Sequence, residues 1–162
     1  MAGTDERARC GSFGSKDDGF SLAELLVLVA VVGVITTVSM PSFITYWRSA
    51  TVKAGAQELR TVLNQGRQLA LSQNTTVCVN RNGNKVQFLT GGCAGTVWTG
   101  SGTDGNGWFA LGNRVAVSAA TANVVFNDLG AATTAGTFTV KNPVDQSTMT
   151  VTVALSGRIT VP

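Results

Sequence analysis

The sequence predicts an α+β protein in which one long, bent N-terminal helix packs on an antiparallel β-sheet head. Two observations predict it. The segment from Phe20 to about Ser72 has helical patterning, first as an unbroken apolar run and then as an amphipathic stripe. From Thr75 onward apolar residues alternate with polar ones, which is the period of a half-buried strand. A chain of 162 residues is long enough for one modest domain and an anchor.

The apolar run from Phe20 to Met40 contains a single ionisable residue, Glu24. About 20 apolar residues suffice for a helix to cross a bilayer, so the run predicts a membrane span. It is longer than the roughly 7–15-residue core of a cleavable secretory signal, and residues 38–40 before Pro41 make a poor cleavage site for one. The run therefore indicates an anchor that is retained.

Glu24 is the residue of this run that needs a physical explanation. A carboxylate inside hydrocarbon costs about 2.5–3.5 kcal/mol on insertion scales, so it is rare without a partner. If the chain is cut after Gly19, the new amino group of Phe20 lies one helical turn from Glu24. In a helical assembly that amine can pair with the carboxylate of a neighbouring subunit, which lowers the burial cost of both charges. The alternative is a plain membrane anchor with Glu24 near the interface, where the cost fades.

Beyond Pro41 the helical pattern continues as an amphipathic stripe that needs a partner surface. The stripe consists of small and apolar residues at steps of three and four: Leu59, Val62, Leu63, Gly66, Leu69 and Ala70. We therefore predict four segments, which are a leader (1–19), an apolar half-helix (20–41), an amphipathic half-helix (42–74) and a β-rich head (75–162).

Strand candidates fill the head and are separated by turns rich in glycine. Residues 81–84 and 156–157 supply hairpin-turn chemistry, whereas Gly91-Gly92 and the tract 100–107 predict exposed loops. The candidates are the stretches around Val77–Val79 and Val86–Phe88, then Gly95–Thr99, Trp108–Leu111, Arg114–Ser118, Asn123–Asn127, Thr137–Lys141, Thr148–Leu155 and Arg158–Val161.

The three cysteines divide between the leader and the head. Cys10 lies in the leader, and Cys78 and Cys93 lie beyond the anchor. This partition predicts an extracytoplasmic disulfide between Cys78 and Cys93, with Cys10 reduced in the cytoplasm. The alternative is a pair of buried free thiols in the head.

The composition argues against an enzyme. The formal net charge is +3 and histidine is absent, which removes the commonest general base and metal ligand. The tract 100–107 lacks the Lys-Ser/Thr of a phosphate loop. We predict no catalytic site, cofactor or metal, and we expect turn-forming roles for the head carboxylates Asp104, Asp128 and Asp145. Trp98 and Trp108 are expected to cap a β core, the alternative being recognition of a ligand.

The stretch Gly-Phe-Ser-Leu-Ala-Glu at residues 19–24, followed by an apolar helix and Pro41, resembles the prepilin signature of type IV pilins and type II secretion pseudopilins. The resemblance implies that a prepilin peptidase cuts between Gly19 and Phe20 on the cytoplasmic side and that Phe20 becomes N-methylated. It further implies that Glu24 is the assembly carboxylate and that the helix bends at Pro41.

The leader departs from the usual family pattern next to the cleavage site. Many prepilin leaders place basic residues there, whereas this one places Asp17 and Asp18. Lys16, Arg7 and Arg9 still favour retention of the leader on the inner side, because acidic residues count little in membrane topology. The expected location is therefore the inner membrane, with one span, a periplasmic head, and later assembly into a periplasmic or surface filament.

The head is similar to the GspH/FimT group of minor pilins and pseudopilins. The features that match, in the order of that group, are the helix exit Arg67–Asn74, Val77-Cys78-Val79, Gly107-Trp108-Phe109, Phe126-Asn127 with Gly130, and Gly157-Arg158. The resemblance implies a pilin-like fold and a structural subunit that joins or primes a type II secretion pseudopilus or a type IV pilus. The implied partners are other pilin or pseudopilin subunits, the prepilin peptidase and the inner membrane.

The alternative function is that of a DNA-binding minor pilin acting in DNA uptake. Some members of the FimT branch carry Gly-Arg-x-Arg in the terminal hairpin, where basic residues grip DNA phosphates. Here Arg158 matches the first arginine and Thr160 replaces the second. Because useful nonspecific affinity sums several phosphate contacts, we expect weak or no DNA binding.

Overall fold

The computed structural model describes residues 19–112, 115–119 and 123–162. The chain divides after Pro41 into two compact units, and one helix, α1 (Leu22–Gln73), contributes to both. The second unit also holds the strands, which within the described residues are β1 (Val77–Asn82), β2 (Lys85–Thr90), β3 (Thr96–Val97), β4 (Trp108–Ala110), β5 (Ala116–Ala119), β6 (Val125–Phe126), β7 (Ala132–Thr134), β8 (Gly136–Lys141), β9 (Thr148–Val153) and β10 (Ile159–Thr160). The leader residues 1–18, with Cys10, and Arg114 lie outside the described residues.

The helix begins at Leu22 because Ser21 and Glu24 favour a start there. Ser is a preferred N-cap residue, and Glu three positions later completes the Ser-x-x-Glu pattern of a capping box. The carbonyl oxygen of Ser21 accepts a hydrogen bond from the N–H of Leu25 at 3.1 Å. Glu24 also places a negative charge in the first turn, where the helix dipole favours it.

Within the first unit the helix exposes large apolar side chains all round. These side chains are between 50 and 77% exposed and comprise Leu22, Leu25, Leu26, Val27, Leu28, Val29, Val31, Val32, Val34 and Ile35. The hydroxyl of Thr36 donates to the carbonyl of Val32 and that of Thr37 to the carbonyl of Val34. These polar groups are therefore satisfied inside the helix, as an apolar environment requires.

Among the described residues, no single helix is both long and apolar enough to cross a membrane. By length and composition, a span is possible only for the bent pair Leu22–Thr37 and Ser42–Gln73 taken together. The role of Pro41 in the bend and the predicted segment boundaries stay predictions.

In the second unit α1 buries one stripe against the strands. Ala56, Leu59 and Leu63 are fully buried at the three- and four-residue steps of one helix face. Gly66 lets the helix approach the sheet closely, because a Cβ at this position would lie 2.8 Å from Cε1 of Phe88. From Val52 onward the predicted stripe is therefore buried, and the head is its partner surface.

The head contains two antiparallel sheets. The first has the order β3-β2-β1-β6-β7, with β4 also paired to β2, and the second has the order β10-β9-β8-β5. Val79 faces Phe88 across β1 and β2, and Phe138 faces Val151 across β8 and β9. One continuous hydrophobic core joins the helix to both sheets. The predicted α+β class with an antiparallel head is confirmed.

Each strand candidate overlaps an observed strand, but β7 was not predicted. Among its residues only Ala132 is buried, so Ala132–Thr134 shows no apolar alternation. Tertiary pairing makes this strand instead: Ala132 pairs with Phe126, and its N–H donates to the carbonyl of Leu155 at 2.9 Å.

Candidate assembly site and head surface

The bond between Gly19 and Phe20 lies just before the helix, in chain without regular secondary structure. Both residues are exposed, and the Phe20 side chain is 72% exposed. A Cβ on Gly19 would meet nothing within 4 Å. Among the described residues, packing therefore gives no reason for glycine at position 19.

Glu24 is exposed on the first turn of α1 and lies within an apolar surface. A shallow groove beside it is lined by Ala23, Val27, Leu28 and Val31. Every neighbour in this groove is apolar, so the carboxylate is the groove's one ionisable group. Such a surface suits a second apolar helix that brings a positive charge to this level.

The head carries the predicted disulfide. Cys78 and Cys93 are bonded, with their Cα atoms 4.9 Å apart. Cys78 is fully buried on β1, whereas Cys93 lies on the exposed segment between β2 and β3. The bond therefore fixes an exposed segment to the core strand of the first sheet, and the alternative of two free thiols is wrong.

Three sequence features singled out in the head meet at one point. Arg67, near the end of α1, donates its Nε–H to the carbonyl oxygen of Gly130 at 2.8 Å. Gly157 lies against the same carbonyl, because a Cβ on Gly157 would sit 2.0 Å from that oxygen. Gly130 and Gly157 have φ values of 75° and 76°, a conformation that favours glycine. Arg67 thus joins the helix exit to a loop and to the terminal hairpin.

Asn127 shapes the loop that presents Gly130. Its Oδ1 accepts hydrogen bonds from the N–H groups of Leu129 (3.1 Å) and Ala131 (2.8 Å). Its carbonyl accepts a further bond from the N–H of Gly130 at 2.9 Å. Because the side chain supplies the acceptor that the turn needs, Asn127 and Gly130 act together as a structural pair.

Two links between the helix and the head were not predicted from the sequence. One is the Arg67 contact, and the other is Glu58, whose two carboxylate oxygens accept the N–H of Gly112 at 3.0 and 2.9 Å. Arg67 follows buried Gly66, and Glu58 precedes buried Leu59, so each flanks the apolar stripe. Their position beside the stripe was the one sequence feature that could have indicated contacts with the head.

Asp104 and Asp145 have the expected turn-forming roles. The N–H of Trp108 donates to Asp104 at 2.9 Å and holds the pKa of that carboxyl below its ordinary value, with smaller contributions from the N–H of Asn106 and from Lys85. The side chain of Ser147 donates to Asp145 at 2.8 Å and likewise lowers its pKa. Both carboxylates are satisfied locally; Asp104 is exposed and Asp145 is half-buried.

Among the described residues, three basic residues of the head, Arg158, Lys141 and Lys85, lie on separate strands or strand ends. Arg158 is exposed just before β10, which pairs with the end of β9, whereas Lys141 pairs with Thr148 at its beginning. At about 3.3 Å per residue, the length of β9 separates these positions by roughly 16 Å. Lys85 lies in the other sheet and forms an ion pair with Asp104 at 3.3 Å.

Trp98 belongs to the core, as expected. Its ring stacks on Phe109 with a centroid distance of 6.1 Å and also contacts Phe88 at 6.2 Å. Trp108 is half-buried on β4. In the part of the chain that the structure describes, no group of three or more Cys, Asp or Glu residues is placed to hold a metal ion.

The fold and the exposed apolar helix place the protein in the pilin-like class, which known structures confirm. The crystal structure of the type IV minor pilin FimU of Pseudomonas aeruginosa (strain PAO1) in space group P21 is 16% identical, covers 72% of this chain and 92% of that chain, and has a TM-score of 0.53. The structure of the minor pseudopilin EpsH from the type 2 secretion system of Vibrio cholerae is 13% identical to this chain. The match covers 68% of this chain and 95% of that chain, with a TM-score of 0.52.

The sequence also matches the family model of the type II transport protein GspH over residues 55–157, which is more than half of the chain. The chain therefore belongs to the GspH family and is a structural subunit of the minor pilin and pseudopilin class. No curated protein sequence matches it. The matched region does not include residues 19–24, so cleavage, N-methylation and the role of Glu24 stay predictions.

Proposed function

We propose that this GspH-family protein joins or primes a type II secretion pseudopilus or a type IV pilus through its N-terminal helix. The observation that carries the proposal is an apolar helix surface with one carboxylate, Glu24, on the chain that carries a GspH-type head. An apolar helix is stable in a membrane or in a bundle of similar helices. Residues 20–41 first hold the protein in the inner membrane with its head in the periplasm, and the filament later takes it up.

The proposed maturation step is cleavage of the bond between Gly19 and Phe20 by the prepilin peptidase, followed by N-methylation of Phe20. The exposure of both residues ahead of the helix supports it. Intact-mass measurement and N-terminal sequencing of the protein from membranes should give a chain that begins at Phe20 and carries one extra methyl group. A mature chain that begins at Met1, or after Met40, contradicts the proposal.

Gly19→Val should block this cleavage without disturbing the fold. A Cβ built at this position meets nothing within 4 Å, so a loss of processing reports recognition by the peptidase. Gly33→Val is the matched control, because Gly33 also has no atom within 4 Å of a built Cβ and lies inside the apolar half-helix. The Gly33→Val control should be cleaved normally. Equal cleavage of both variants would show that the peptidase does not recognise Gly19.

The proposed role of Glu24 is to pair with the amino group that cleavage creates on Phe20 of a neighbouring subunit. The exposed carboxylate in an apolar groove supports this pairing, because attraction between charges is strengthened where the dielectric is low. The pair places a new subunit at a fixed level in the growing bundle. It also explains why a charge is kept in a segment where it opposes membrane insertion.

Glu24→Ala should leave membrane insertion intact and weaken incorporation into sheared filaments. Removal of a carboxylate makes the segment more apolar, so insertion becomes easier. Thr36→Ala is the control, since it also makes the helix more apolar but keeps the carboxylate. Normal incorporation of Glu24→Ala would show that Glu24 has another role.

Neither the family nor the similar structures support the alternative of a DNA-binding minor pilin. The separation of Arg158 from Lys141 and the pairing of Lys85 with Asp104 also argue against a phosphate-binding surface built from these residues. The proposed partners are therefore other pilin or pseudopilin subunits, the peptidase and the inner membrane.

A further inference from the structure

The helix of the second unit begins with a segment that the strands do not cover. Every residue from Ser42 to Ala50 is exposed, and burial on the helix starts at Val52, which is 2% exposed. At 1.5 Å per residue this uncovered segment is about 14 Å long. It includes the most exposed aromatic side chains of the second unit.

Three of these side chains form what we call the aromatic face: Phe43, Tyr46 and Trp47, which are 62, 71 and 64% exposed. Phe43 and Trp47 are four residues apart, and their ring centroids lie 5.9 Å apart. Phe43 and Val52 are nine residues apart, which at about 100° per residue puts them on opposite sides of the helix. The aromatic face therefore points away from the core that the helix helps to form.

The chemistry around the aromatic face is cationic as well as aromatic. Arg48 and Lys53 are exposed, and no acidic residue occurs in sequence between Ser42 and Gln57; in space, Asp145 of the loop between β8 and β9 attracts Arg48, whereas Lys53 has no ion pair among the described residues. Tyr46 and Lys53 line a shallow groove with Met149 of β9. Val144, in the loop between β8 and β9, is 74% exposed and adds apolar surface to the same unit.

We propose that the aromatic face and its basic residues bind the lipid headgroup region on the periplasmic side of the membrane and set the depth of the helix before assembly. Trp and Tyr are enriched at membrane interfaces, where one end of the ring is apolar and the other is wet. Arg48 and Lys53 complement the lipid phosphates. In sequence the segment directly follows the apolar half-helix, and the headgroup layer is about 5–7 Å thick on each side, which the uncovered segment spans. This inference rests on the proposed membrane anchoring.

The test is fluorescence quenching of the full-length protein in phosphatidylcholine vesicles, at low protein density and without other pilins. The acyl chains carry bromine either close to the headgroup or close to the bilayer centre, and acrylamide is the quencher in water. The difference between the wild type and Trp47→Phe isolates the emission of Trp47. Trp108→Phe is the matched control for a tryptophan of the head, and neither substitution creates a cavity at a fully buried site.

We expect Trp47→Phe to remove most of the emission that bromine near the headgroup quenches, whereas Trp108→Phe removes none of it. If bromine at the bilayer centre quenches Trp47 more strongly than bromine near the headgroup, Trp47 lies within the membrane span and the inference is wrong. Quenching by acrylamide alone would place Trp47 in water, and protection from every quencher would indicate a second copy on this face; either result also overturns it.

Alkaline extraction separates failure of this inference from failure of the proposed function. If the wild-type protein leaves the vesicles as a soluble chain, the membrane anchor itself is wrong and the inference fails with it. If the protein stays in the membrane while Trp47 is quenched only from water, the anchor stands and the interfacial role of the aromatic face is refuted.

Discussion

Gly157→Ala tests whether the point where Arg67, Gly130 and the terminal hairpin meet stabilises the head. Alanine at a φ of 76° costs about 1–2 kcal/mol, because its Cβ crowds the following carbonyl. The Cβ would also sit 2.0 Å from the carbonyl oxygen of Gly130, so the loop must withdraw. That movement breaks the hydrogen bond from Arg67, which as a bond to a charged group contributes about 1.5–3 kcal/mol. The expected total loss is about 3–5 kcal/mol.

Gly83→Ala is the matched control for this substitution. Gly83 has a φ of 60°, but a Cβ there meets nothing within 4 Å, so only the backbone cost of about 1–2 kcal/mol applies. The assay is urea unfolding of the oxidised full-length protein in detergent micelles, followed by tryptophan fluorescence. Equal losses of unfolding free energy in the two variants would refute the claim that the close approach at Gly157 matters.

Three further predictions concern the head. Replacing Cys78 and Cys93 together by Ala should lower the unfolding free energy by about 3 kcal/mol, because the bond closes a loop with a sequence separation of 15; an unchanged urea midpoint would contradict this. The pKa of Asp104 is depressed in the folded protein, so the ionised carboxylate stabilises the fold at pH values above its ordinary pKa of 3.8. This stabilisation is lost as the pH falls through the pKa of the folded state. The difference in unfolding free energy between the wild type and Asp104→Asn should therefore shrink on acidification. Mobility-shift assays at near-physiological salt should detect no complex of the wild type with duplex DNA; a complex abolished by Arg158→Ala would restore the DNA-receptor hypothesis.

The sequence predicted those parts of the fold that depend on local periodicity. The helix was predicted over about Phe20–Ser72 and is observed over Leu22–Gln73. Its start is local, since Ser21 and Glu24 carry the capping signal. The disulfide was also predictable, because the predicted membrane span divides the cysteines into two groups and leaves Cys78 with a single possible partner.

The sequence could not predict features that depend on which segments meet in space. Alternation shows which face of a strand is buried but not which strand lies beside it, so the division into two sheets was not foreseen. For the same reason Ala132–Thr134 was missed, since its neighbours rather than its own residues make it a strand. The hydrogen bond of Arg67 was not predictable either, because its acceptor, the carbonyl of Gly130, is 63 residues away in sequence.

The contacts also separate glycines that the packing of the head restricts from the residues for which we propose a role in processing or assembly. Gly157 and Gly66 have atoms within 3 Å of a built Cβ, so the packing of the head restricts both positions. Gly19 has none within 4 Å, and Glu24 is an exposed carboxylate in an apolar groove, where it adds nothing to a core. Among the described residues, packing does not restrict Gly19, and the proposed cleavage by the prepilin peptidase would restrict it instead. Substitutions at positions 19 and 24 should therefore change processing or incorporation while the head unfolds at the same urea concentration.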